Sequence, residues 1–92
     1  MCSDLKEKKR TKLKGEALSE QQLRVRQILG KNLTYFRKQR GWTLEKLAEE
    51  TGYSSAWIGG VERARMNSST DRLANMADKL GIDLYILFID RG

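Results

Sequence analysis

An all-α domain is predicted by three features of this 92-residue chain. Apolar residues recur at helical spacing in Val25, Ile28, Leu29, Leu33 and Phe36, and again in Leu73, Met76, Ala77 and Leu80. Gly41, Gly52 and Gly81 stand where a left-handed residue would stop a helix, a conformation cheap only for glycine. A hydroxyl side chain, Ser19, Thr43, Ser54 or Ser69, stands where each of four helical stretches would begin, able to accept hydrogen bonds from orphan backbone N–H groups.

The first helix opens at Ser19, where Ser19-Glu-Gln-Gln22 fits a capping box and Leu18 with Leu23 fits a hydrophobic staple. Arg24, Lys31 and Lys38 recur every seven residues on another flank, read either as phosphate contacts or as a solvated face. Gly41 ends this helix, and Thr43 caps a second whose inner side is Leu47 and Ala48. The third runs from about Ser55 to Glu62 or Arg63, with Ile58 and Val61 facing inward. A polar connection over residues 64–69 leads to a fourth helix, capped by Ser69 and stopped by Gly81. The last stretch, Ile82 to Ile89, is apolar at seven of eight positions, too dense for a helix with one wet side. Its pattern leaves helix and strand open. Part of it, Leu84, Tyr85, Leu87 and Phe88, is read as a dimer contact, the alternative being that the first helix covers it all.

Composition narrows the function. There is no histidine, and Cys2 is the only cysteine, so neither a cysteine- or histidine-based metal cage, an intramolecular disulfide nor a histidine base can be built. No enzyme activity, metal or cofactor is expected. The sequence has no apolar run of membrane-spanning length and no apolar signal core at the N-terminus, which predicts a cytoplasmic protein without a membrane partner. Residues 1–40 carry twelve basic side chains against four acidic ones, a net +8, whereas the rest carry six against eight, a net −2. Residues 1–18 are lysine-rich and nearly devoid of large apolar groups, which predicts a disordered basic tail ahead of a domain over 19–92.

Thr43 to Glu62 has the spacing of a DNA-reading helix-turn-helix: two short helical patterns joined by Gly52-Tyr53-Ser54. From about Ile28 to Phe88 the chain resembles the Cro and lambda-repressor-like regulators. The resemblance rests on Arg37-Lys-Gln-Arg-Gly-Trp-Thr43, Leu47-Ala48, Gly52-Tyr53-Ser54, Ile58, Val61-Glu62-Arg63 and the run from Leu73 through Leu80-Gly81-Ile82 to Leu87-Phe88. Trp57-Ile-Gly-Gly-Val-Glu-Arg63 also resembles the recognition helix of restriction–modification controller proteins.

That resemblance implies a five-helix fold, with a short fifth helix opening at Asp83. By register it places Ser54, Ser55, Ala56, Trp57, Gly59, Gly60 and Arg63 toward double-stranded DNA or its backbone. Ser55 can bond either kind of base pair, Ala56 can touch a thymine methyl, and Arg63 can grip guanine or phosphate. Trp57 is read as lying along the sugar-phosphate wall, or as partial core cover. Gly59 and Gly60 imply either close approach to DNA or tight internal packing. Arg65, Asn67, Lys38 and Thr43 are expected at the backbone, and Glu62 is expected to pair with a basic neighbour. The family often has glutamine where this chain has Leu44. The expected function is a homodimeric transcriptional regulator on a two-fold-related operator, without a small-molecule ligand. Two rivals stay open: an autoregulating antitoxin with a protein partner, and a protein-interaction module on the same fold.

Overall fold

The computed structural model describes residues 17–91, so all but the last two residues of the expected tail lie outside it, as does Gly92. Among the described residues four α-helices, α1 (Glu20–Gln39), α2 (Leu44–Thr51), α3 (Ser55–Glu62) and α4 (Thr70–Leu80), precede a 3-10 helix, Leu84–Phe88, and there is no strand.

The four caps form as the sequence predicts. Ser19 and Gln22 make the reciprocal capping box, with bonds of 3.1 and 2.9 Å. Thr43, Ser54 and Ser69 each accept the backbone N–H three residues ahead, at 3.0 to 3.1 Å. Gly52 and Gly81 close α2 and α4 in the left-handed conformation. Leu18 and Leu23 remain exposed beside the first cap.

The expected fifth α-helix is instead a single 3-10 segment, and Asp83 makes no side-chain cap to it. With three residues per turn, Leu84 and Leu87 share one side and Tyr85 and Phe88 another. Leu87 is completely buried, so it belongs to the core and is removed from the expected dimer surface. Tyr85 and Phe88 point outward, 64% and 40% exposed.

The core joins Leu29 and Leu33 of α1, Leu47 of α2, Ile58 and Val61 of α3, four residues of α4, and Leu87. α1 packs on both α3 and the 3-10 helix, while α2 packs on α3 and α4. Two small features of α1 make this possible. At Gly30 the helix meets the end of α3 so closely that a Cβ would lie 2.9 Å from the Val61 oxygen and the Glu62 carbonyl carbon, and closer still to the Glu62 oxygen. Two residues on, the buried Asn32 amide donates to the carbonyls of Leu87 and Ile89, both at 2.8 Å.

α3 ends in a turn strained at one residue. Ala64 has φ 62°, which lets the N–H groups of Arg65 and Met66 both reach the Gly60 carbonyl, at 2.8 and 3.2 Å. A left-handed alanine costs about 1–2 kcal/mol, and glycine removes that at an unfolded-state entropy cost of about 0.4–1 kcal/mol. Ala64→Gly is therefore expected to stabilise the domain by roughly 0.5–1 kcal/mol. A thermal melt should show the midpoint rising by about 3–5 °C.

Candidate nucleic-acid interface

α2 and α3 are held at a fixed angle by their shared turn. Gly52 reverses the chain, Thr51 Oγ1 bonds back to the Leu47 carbonyl at 2.8 Å, and Ser54 begins α3. Ile58 and Val61 then sink into the core, leaving the opposite side of α3 for a partner.

On that open side stand Ser54 and Ala56, both exposed, half-buried Ser55, and exposed Arg63. The Ser54 oxygen already accepts from Trp57 N–H, but its own O–H remains a donor, and the same holds for exposed Thr43 at the start of α2. Arg65 and Asn67 are exposed on the connection that follows, and Lys38 is exposed in the last turn of α1. Arg26 of α1 secures this connection by donating to the Arg65 carbonyl at 3.4 Å.

At Gly59, Gly60 and Trp57 the structure takes the packing alternative of the two that the sequence leaves open. Gly59 and Gly60 are buried and do not form an open approach for DNA. A Cβ on Gly59 would meet the Arg63 guanidinium at 3.1 Å and Leu44 at 3.4 Å, and one on Gly60 would run into the Met66 side chain. The glycines therefore make room for side chains folded back from the helix end and from α2. Leu44, standing where the family often has glutamine, serves that packing. Trp57 is half-buried against the core and lies edge-on to Tyr53, with ring centroids 5.4 Å apart and planes at 77°.

The electrostatics of α3 depend on its single carboxylate, Glu62. Arg37, from the end of α1, grips it with two bonds of 2.7 and 3.0 Å and gives a third to the Trp42 carbonyl at 2.7 Å. Both side chains are about nine-tenths buried, at 10% and 8% exposure. Glu62 thus pairs with a basic neighbour as expected, and its charge is cancelled before it can repel a phosphate. The arrangement ties α1, the lead-in to α2 and the end of α3 at one point.

Sequence reading missed Arg72 of α4, whose guanidinium lies over the rings of Trp57 and Tyr53, 4.9 and 5.3 Å from their centroids. Nothing in the spacing of Arg72 from residues 53–57 signals this contact. Among the described residues there is no cluster of side chains able to hold a metal ion, and no helix long and apolar enough to cross a membrane.

Comparison with known proteins agrees with this geometry. Residues 28–84 match the family described as helix-turn-helix domain. A hypothetical transcription factor of Neisseria meningitidis serogroup B is 35% identical over 77 residues, covering 84% of this chain and 71% of that protein. The crystal structure of the Neisseria transcription factor NHTF gives a TM-score of 0.71 at 34% identity, over 84% of this chain and 86% of that one. The restriction-modification controller protein C.AhdI from Aeromonas hydrophila gives 0.66 at 32% identity, over 68% of this chain and 96% of that one. SinR, the master regulator for biofilm formation, in complex with DNA, gives 0.62 at 26% identity, over 66% and 98%. The capped α2–turn–α3 unit and these matches together show that the chain belongs to the helix-turn-helix domain family, as a Cro- and lambda-repressor-like transcriptional regulator with a helix-turn-helix DNA-binding domain.

Proposed function

We propose that the protein acts as a homodimer that reads a two-fold-related operator, with the two copies of α3 entering successive major grooves about 34 Å apart. The observation that carries this reading is the outer side of α3: small polar and apolar groups at its start, an arginine at its end, and its one acid neutralised by Arg37. Ser55 and Ala56 meet base edges, and Arg63 takes a guanine or a phosphate. Thr43, Lys38, Arg65 and Asn67 hold the backbone. The excess positive charge of residues 1–18 adds attraction that is independent of sequence. Acting on chromosomal DNA, the protein works in the cytoplasm.

The dimer contact is assigned to the outward side of the 3-10 helix, Tyr85 and Phe88, flanked by half-buried Leu84 and exposed Ile89. A narrower role as a restriction–modification controller draws support from the likeness to C.AhdI.

Selection from a random duplex library tests the reading. The recovered site is expected to be two-fold symmetric and to outcompete bulk DNA by about a thousandfold or more. Equal affinity for selected and random duplex would overturn it. In sedimentation, the double variant Tyr85→Asp with Phe88→Asp should be a folded monomer, because both side chains already face solvent in the single chain. A dimer that survives those changes, or a wild type that is monomeric at micromolar concentration, would sink the proposed contact.

A further inference from the structure

We propose that Arg72 is a phosphate clamp for the DNA strand that flanks α3, with Trp57 and Tyr53 as the aromatic pair that holds it in place; this rests on the operator reading above. Arg72 sits in the first turn of α4, yet its guanidinium is spread over two rings supplied by the turn and by the reading helix. The pair is itself fixed. Tyr53 stands edge-on to Trp57, and its hydroxyl accepts from the Asn75 amide at 3.1 Å, while that amide also reaches the Thr51 carbonyl at 3.3 Å.

Held at the two rings by cation–π attraction, the Arg72 guanidinium keeps N–H donors for an oxygen acceptor outside the domain. Three other arginines donate to groups of the domain itself: Arg37 to Glu62 and the Trp42 carbonyl, and Arg40 and Arg26 by one bond each to the carbonyls of Leu80 and Arg65. Arg72 is exposed, and no carboxylate of the described residues is paired with it. It lines an open hollow with Gly52, Tyr53, Ser54 and Trp57, immediately beside the first turn of α3. If Ser55 and Ala56 reach base edges, the backbone bordering that groove passes this hollow. A phosphodiester, whose two non-bridging oxygens share one negative charge, matches the planar fork, and the contacts with the two rings have already removed much of the side chain's freedom. Trp57 then acts through Arg72, not by lying on the sugars itself.

The test measures binding of wild type, Arg72→Gln and Arg72→Lys to the duplex selected by the wild type and to a random duplex of equal length, from about 50 to 200 mM salt. Arg72→Gln should bind both duplexes about tenfold more weakly per clamp. Its log–log salt slope should be shallower by about 0.9 for each phosphate that the protein no longer neutralises. Arg72→Lys should keep the wild-type slope, since its charge remains, but give up part of the affinity because an ammonium cannot bind bidentately. Matching thermal melts would show that the fold is unaltered, as the exposure of Arg72 leads one to expect. An unchanged affinity and slope in Arg72→Gln would overturn the clamp, and so would a loss confined to the selected duplex with the slope intact. Should the wild type fail to discriminate between the duplexes, the operator reading falls, and the slope on random duplex alone still decides whether Arg72 holds a phosphate.

Discussion

Gly30→Ala is expected to destabilise the domain by about 2 kcal/mol or more, although alanine favours a helix interior over glycine by about 1 kcal/mol. The added methyl would meet the Val61 oxygen and the Glu62 carbonyl group, which are backbone atoms and cannot rotate aside as a side chain would. α1 and α3 must therefore separate, prising Leu29 and Leu33 away from Ile58 and Val61. In a domain this small, such a change lowers the thermal midpoint by roughly 10 °C. A melt equal to wild type, or higher, would show that the two helices can part without cost. Because α3 is the helix proposed to read DNA, affinity for DNA should also drop at temperatures where the variant is still folded.

Glu62→Ala should cost still more, about 3–5 kcal/mol, since it leaves the nine-tenths-buried Arg37 guanidinium with only the Trp42 carbonyl for company. That cost measures a stranded charge, not the net worth of the pair. The double variant Arg37→Met with Glu62→Leu should accordingly be more stable than Glu62→Ala by about 2 kcal/mol or more, because it buries no unpaired charge and costs only the Arg37 bond to the Trp42 carbonyl. Urea unfolding of the three proteins checks both parts. A double variant as unstable as the single one would mean that the ion pair itself holds the helices. The paired substitution also places no acid on α3, so its effect on binding separates charge from stability.

Helix boundaries are legible in the sequence because caps and stops are local. A hydroxyl and the N–H three residues ahead of it lie within one turn, and the third helix runs over Ser55–Glu62, within the bounds expected from Ser54 and Gly52. Matters decided at long range are not legible. Which of the crowded apolar residues at 82–89 turn inward depends on the 3-10 geometry and on the Asn32 amide, 55 residues before Leu87 in sequence. Gly59 and Gly60 stand out in the pattern, but whether they face DNA or the interior is set by where Arg63, Leu44 and Met66 fold. Arg72 gives no signal, since contact with Tyr53 and Trp57 has no sequence period. Gly30 does give one, because a glycine within a long helix implies a close neighbour. Of the candidate interface, the open residues of α3 and its caps can be read from sequence, whereas the Arg37 grip on Glu62 is foreseeable only as some basic partner.

Gly30 and Asn32 stand two residues apart on α1, one pressed against α3 and the other tied to the chain beside Tyr85 and Phe88. In a dimer joined through those aromatic side chains, a single rigid rod would run from the subunit contact to each reading head, with no hinge between them. Such a molecule measures DNA as a caliper does. Each base pair added between half-sites advances the second groove by about 3.4 Å and turns it by about 34°, and a rod without a joint follows neither change. Spacing between half-sites would then be as much a part of the recognised signal as the bases themselves.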